Sequence, residues 1–147
     1  MKPDHLGHVH LKVSDLARAE KFYTEALGLK VMERFGSQYV FLSLGKHHHD
    51  IALMNVGKNA PRPAREATGL FHVAFEVKNK KDFAKFYQQL KKHGVEPEAV
   101  DYGMHFAMYF PDPDHNIIEV YVDNSKKVKQ WNGYNAYLSE KEILKFL

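Results

Sequence analysis

Gly69-Leu-Phe-His-Val-Ala-Phe-Glu-Val77 is the stretch on which the fold turns. Side chains of a strand alternate between two faces, so Phe71, Val73, Phe75 and Val77 share an apolar face. His72, Ala74 and Glu76 occupy the other. Near the start of the chain, Gly7-His-Val-His-Leu-Lys-Val13 has the same layout, with Val9, Leu11 and Val13 on one side and His8, His10 and Lys12 on the other. An offset of 64 residues lays His8 on His72, Val9 on Val73 and Val13 on Val77, and carries Phe22-Tyr23 onto Phe86-Tyr87. The chain therefore reads as a duplicated unit with a histidine at the same place in each copy.

Each copy continues in the same order. After the first strand, Ser14 or Asp15 can cap a helix running to about Leu27, whose apolar stripe is Leu16, Ala19, Phe22, Tyr23 and Ala26. Gly28 stands where a helix-terminating glycine belongs. Strands are predicted over Lys30 to Arg34, Gln38 to Leu44 and Asp50 to Val56, with turns at Gly36-Ser37 and Gly45-Lys46. Residues 57–68, rich in proline and polar side chains, read as a connector. The second copy repeats the pattern: a helix from about Lys80 to His93 closed by Gly94, then strands near Glu96 to Val100, His105 to Phe110 and Asn116 to Val122. The fold class is α+β, with tandem βαβββ modules pairing into a cup or partial barrel and helices outside. Module 1 spans about 5–56 and module 2 about 69–123. A tail, 124–147, ends in a short helix with Ser139 and Glu142 spaced as a capping box.

Composition narrows the function classes. A chain of 147 residues that is 44% hydrophobic and 27% charged can build a real core. No apolar run approaches the roughly 20 residues of a membrane span, and the N-terminus lacks a signal-peptide pattern. Without cysteine, disulfides, thiolate nucleophiles and thiolate metal sites are excluded; a cytoplasmic location is expected. A net charge of +3, spread along the chain, argues against a nucleic-acid partner. The unusual feature is ten histidines, including the run His47-His48-His49.

In the last strand of module 2, Ile118, Val120 and Val122 share the face expected under the helix, which turns Glu119 with Ile117 and Tyr121 to the other. His8, His72 and Glu119 then lie on equivalent faces of three strands. Two imidazoles and one carboxylate suit a divalent first-row metal and leave coordination positions open for substrate.

These residues resemble the vicinal oxygen chelate superfamily, which includes glyoxalase I, fosfomycin resistance proteins and type I extradiol ring-cleaving dioxygenases. The resemblance covers about residues 5–123. It is carried by Leu6-Gly-His-Val-His-Leu-Lys-Val-Ser-Asp-Leu16, by Phe22-Tyr23 with Leu27-Gly28-Leu29, and by Tyr109-Phe-Pro-Asp-Pro-Asp-His-Asn-Ile-Ile-Glu119. It implies metal ligands at His8, His72 and Glu119. Phe41-Leu-Ser-Leu-Gly-Lys-His-His-His-Asp-Ile-Ala-Leu53 is most similar to the extradiol dioxygenases and implies His49 as acid–base residue. Tyr109 matches the family tyrosine near the substrate oxygen. His10, His48, Tyr102 and His105 are the expected further substrate contacts. The tail, with Trp131-Asn132-Gly133, is loosely similar to catechol 2,3-dioxygenase tails.

The resemblance implies Fe2+, with Mn2+, Zn2+ or Ni2+ as alternatives, a catechol-like small-molecule substrate and a homodimer. Two positions depart from the family pattern. Tyr102 stands where the ring-cleavage motif has a histidine that interacts with oxygen, and His105, three residues on, is expected on a different face. His115 replaces a turn glycine, which requires histidine at positive φ. A glyoxalase needs a fourth ligand at the end of module 1; the 64-residue offset places it at Asn55, which is not a carboxylate. That ranks glyoxalase below dioxygenase. Fosfomycin-type thiol transfer and a non-catalytic bleomycin-type binder are the other readings.

Overall fold

The computed structural model describes residues 1–64, 66–128 and 130–147; Arg65, in the predicted connector, and Lys129, in the tail, lie outside the described residues. The chain forms two compact units: Met1–Gly69 with Asp112–Asn116, and Leu70–Pro111 with Ile117–Leu147. Among the described residues no helix is long and apolar enough to cross a membrane.

Unit 1 runs β1 (Val9–Val13), α1 (Leu16–Glu25), β2 (Lys30–Phe35), β3 (Tyr39–Ser43) and β4 (Ile51–Asn55), in sheet order β1-β4-β3-β2. β1 is parallel to β4, and the other pairs are antiparallel. The register sets Leu53 between Leu11 and Val40, and Ile51 between Val9 and Leu42. This face lies under α1, which packs on β3 and β4 with Ala19 and Tyr23 fully buried. Asp15 supplies the cap, accepting from the Arg18 amide at 3.1 Å. Gly28 takes φ +77°, which lets the Leu29 amide return to the Tyr23 carbonyl.

Unit 2 repeats the plan with β5 (Val73–Glu76), α2 (Lys80–Lys92), β6 (Glu98–Asp101), β7 (His105–Pro111) and β8 (Ile117–Asp123). It adds β9 (Ala136–Tyr137) and α3 (Glu140–Leu144). Sheet order is β5-β8-β7-β6-β9, again with one parallel pair, β5 and β8. Phe110, Ile118 and Val73 form one row of the buried face, and Met108, Val120 and Phe75 the next. α2 packs on β8 and α3. The α3 capping box forms as the sequence predicts. β9 was not predicted: it is two residues long, and only its pairing with β6 defines it.

The repeat strand is shorter than its pattern predicts. β5 begins at Val73, and Phe71, expected on the apolar face, is 81% exposed. Alternation continues upstream of the strand, but its partner β8 begins pairing only at Ile118, so nothing covers the earlier side chains.

The β7–β8 turn, Asp112 to Asn116, belongs to unit 1 by packing although it interrupts module 2 in sequence. Asp112 is 3% exposed and accepts the Tyr23 hydroxyl at 3.0 Å. It also accepts the amides of Asp114 and Asn116 and the Asn116 side-chain amide, each at 2.8 Å. Asp114 accepts from Ser14 at 2.5 Å and Arg18 at 2.9 Å. His115 takes φ 68°, the positive value expected of it. Burial, then the Asp112 charge, pushes the Tyr23 phenol far above its usual range, so its proton stays on the hydroxyl as donor. Removing that donor with Tyr23→Phe leaves a buried carboxylate short of one partner. It should lower stability by about 1.5–3 kcal/mol, read as a reduced urea midpoint with unchanged slope.

Candidate metal and acid–base site

In each sheet the face opposite the helix carries candidate site residues. On unit 1, Ala52 lies between His10 and Phe41, and Met54 between Lys12 and Tyr39. The Tyr39 and Phe41 rings are stacked with centroids 6.4 Å apart. Phe41 meets the His49 ring edge-on at 5.1 Å, and Tyr39 meets His10 at 5.8 Å. These aromatics were not among the predicted site residues. Period-two counting across β3 opposite His10 would have found them.

His8 precedes β1 and its ring centroid lies 4.4 Å from that of His49. His49 Nδ1 is 3.0 Å from His48 Nδ1, close enough for one ring to donate to the other. His48 Nε2 lies 3.5 Å from the Glu33 carboxylate. Asp50 anchors this loop by accepting the Leu44 amide at 2.7 Å, while Ser43 donates to the His47 carbonyl at 2.6 Å. The unit thus gathers the predicted ligand His8, the predicted acid–base residue His49, and the predicted contact His48. His10 sits on the same open face.

On unit 2, Glu119 lies mid-strand beside Ala74 and Tyr109. It is 6% exposed, an unusual place for a carboxylate unless its charge is met. Glu119 Oε2 is 2.8 Å from His72 Nε2, and Oε1 accepts the Tyr109 hydroxyl at 3.1 Å. His72 Nδ1 is buried without a hydrogen-bond partner. Burial first, then hydrogen bonding with Tyr102 and the Glu119 charge, pushes the Tyr109 phenol far above its usual range. Tyr109 is therefore a neutral donor. Beyond it, the Tyr102 ring stacks on His105 with centroids 4.7 Å apart.

That stack corrects the expectation that Tyr102 and His105 fall on different faces. Counting by two assumes both residues are in strands, whereas β6 ends at Asp101 and Tyr102 opens the turn. Its amide donates to the His105 carbonyl at 3.0 Å, which brings the two residues together.

The residues test well for a divalent metal on their donor chemistry. An imidazole nitrogen and a buried carboxylate oxygen point at each other across 2.8 Å, and the second carboxylate oxygen is already engaged by Tyr109. Neither unit alone, among the described residues, gathers three or more His, Asp or Glu side chains able to hold a metal. Unit 2 supplies His72 and Glu119; His8 belongs to unit 1.

The strand register also relocates the counterpart of Glu119. Glu119 lies beside Ala74, and the repeat equivalent of Ala74 is His10, which lies beside Ala52. The counterpart is therefore Ala52, not Asn55, because module 2 spends three more residues between its first and last strands. Ala52 is buried and has no carboxylate, so the glyoxalase ligand is missing at the corrected position too.

His49 titrates below the ordinary imidazole value of 6.5, held down mainly by burial and then by neighbouring His8 and His48. It is accordingly neutral near pH 7. The sign follows directly: below 6.5 the unfolded chain binds a proton more readily than the folded one. The stability contributed by this group is full above 6.5 and declines as pH falls through the folded value. An NMR titration of the metal-free protein should place the His49 midpoint below 6.5, and His8→Ala should move it upward.

The family profile described as the Glyoxalase/Bleomycin resistance protein/Dioxygenase superfamily matches residues 5–120. Biphenyl-2,3-diol 1,2-dioxygenase 3 of Rhodococcus globerulus is 31% identical over 131 residues, covering 88% of this chain and 68% of that one. Catechol-2,3-dioxygenase of Bacillus subtilis is 29% identical over 137 residues, 91% of this chain, which spans only 47% of that relative. Among solved structures, a glyoxylase/bleomycin resistance protein/dioxygenase domain from Frankia sp. EAN1pec superposes with a TM-score of 0.73 at 23% identity, over 84% of this chain and all of that one. The duplicated βαβββ units and the extent of the profile match agree: the chain belongs to the glyoxalase/bleomycin resistance protein/dioxygenase superfamily.

Proposed function

We propose that this chain is a metal-dependent extradiol ring-cleaving dioxygenase acting on a catechol-type diol. Membership alone does not choose the activity, since the superfamily's own description spans three. The observation that carries the choice is the placement of His49: the residue expected to move protons lies against His8, an expected ligand, at 4.4 Å. The other expected catalytic residue, Tyr109, is hydrogen-bonded to Glu119. The names of the two relatives above point the same way.

In this reading His72 and Glu119 hold Fe2+, or Mn2+, Zn2+ or Ni2+, and His8 of this chain or of a second copy completes the donor set. Such a metal supplies Lewis acidity to the diol oxygens and a path for electrons from ring to dioxygen. Neutral His49 accepts a proton from the diol and returns it as the carbon–carbon bond beside the diol breaks. Both atoms of dioxygen end in the product, so no external reductant is needed. Tyr109 remains protonated and offers its hydroxyl to an oxygen at the centre. His10, His48 and His105 supply polar contacts around the substrate.

Loading the protein anaerobically with Fe(II), then adding catechol and air, should give a yellow ring-opened product. His49→Gln should lower kcat by about 10²–10⁴-fold, the usual contribution of a positioned acid–base group, with metal content unchanged. Stoichiometric metal with no product in the unmodified protein would overturn the dioxygenase reading in favour of another superfamily chemistry. No metal uptake at all would favour a non-catalytic binder.

A further inference from the structure

We propose that Lys12 is a specificity-determining residue that receives a carboxylate of the diol, so that the substrate is a catechol carrying a short acidic side chain. The inference deepens the dioxygenase reading by naming the substrate class, and it rests on that reading for the diol. Its residues all lie in unit 1.

The open face of unit 1 is floored by rings. Tyr39 and Phe41 lie nearly parallel, 18° apart, and Phe35 extends the row with its centroid 6.4 Å from that of Tyr39. A flat apolar surface of this kind takes an aromatic ring by stacking. His8 and His49 stand at one end of the floor, with His49 edge-on to Phe41 at 5.1 Å. Lys12 stands at the other end. Alternation along β1 puts it on the same face as His10, exposed and about 7 Å further on. A benzene ring with a short side chain is about that long. A diol gripped beside His49 would therefore lay its ring on the floor and bring a ring substituent to Lys12.

Charge decides what that substituent is. Other cations of unit 1 already face carboxylates: Arg18 meets Asp114 at 2.9 Å, Arg34 meets Glu20 at 2.6 Å and Lys58 meets Asp15 at 3.7 Å. Among the described residues Lys12 forms no ion pair. Across the sheet, the Glu33 carboxylate is turned to His48 at 3.5 Å. The 64-residue offset sets Lys12 on Glu76, which accepts the Tyr121 hydroxyl at 3.4 Å. The second copy thus engages this position internally, whereas the first leaves an ammonium beside an aromatic floor. An anionic side chain on the diol is the group that meets it, and a neutral one gains nothing there.

The test is anaerobic calorimetry on the full-length protein equilibrated with Fe(II), titrated with 3,4-dihydroxyphenylacetate and with its neutral methyl amide. The acid should bind about tenfold more tightly, the low end for a hydrogen bond to a charged group, and the gap should narrow as salt is raised. Lys12→Met should bind the two alike, and Lys12→Arg should keep the preference. A lysine that only guards a sheet edge against pairing would leave the ratio of acid to amide unmoved. Equal affinities in the unmodified protein, or a gap that survives Lys12→Met, would overturn the inference; ring cleavage of both compounds on admitting air would then leave the dioxygenase reading standing. A preference that depends on Lys12 with no ring cleavage would overturn the dioxygenase reading and leave the ligand class. Binding of neither compound would overturn both.

Discussion

Each sheet has one helix to cover it, and this constraint organises everything else. A half-covered sheet must sort its side chains by face, with aliphatic groups under the helix and polar groups on the other side. Ile118, Val120 and Val122 meet that demand in β8, as Leu42 and Val40 do in β3. Glu119 is then committed to the open face by its position between Ile118 and Val120, and its neighbours across the sheet are fixed at Ala74 and Tyr109. The carboxylate is nonetheless nearly inaccessible to water. An imidazole and a phenol face its two oxygens and supply the polar partners that burial demands. The energetic problem of covering a sheet from one side has placed a demanding group on its open face.

The same logic explains what could be read from the residues alone. The repeat, the element order, the helix ends and the facing of Glu119 all follow from periodicities of two and 3.6, local properties of the chain. The capping box at Ser139 and the positive φ of His115 were legible for the same reason. Strand ends were not legible locally. Whether Phe71 is buried depends on where β8 starts pairing, and Phe71 lies beyond that point. The contact between Tyr102 and His105 is set by the turn joining β6 to β7, which no alternation rule describes. β9 exists only because β6 offers it an edge.

The site was legible to a similar depth. The imidazole and carboxylate positions followed from facing, and the structure sets His72 against Glu119 and His8 against His49. The relation between the two halves of the repeat was misjudged at one place. A constant offset assumes equal loops, and the additional residues in module 2 move the counterpart of Glu119 from Asn55 to Ala52. The aromatic floor of unit 1, Tyr39 and Phe41, was hidden for another reason. Its members look like ordinary strand aromatics until the fold brings their rings against His10 and His49.

The allocation of the Asp112–Asn116 turn to unit 1 has a consequence for how such a protein can be divided. The two repeats are continuous in heredity but interlocked in construction: the first lends its helix, and the second lends the acid on which Tyr23 closes. A gene cut at the connector would yield a first half with a hydroxyl sealed in its interior and no acceptor for it. Asp112 thus makes the packing of the first repeat depend on residues that the sequence delivers only with the second.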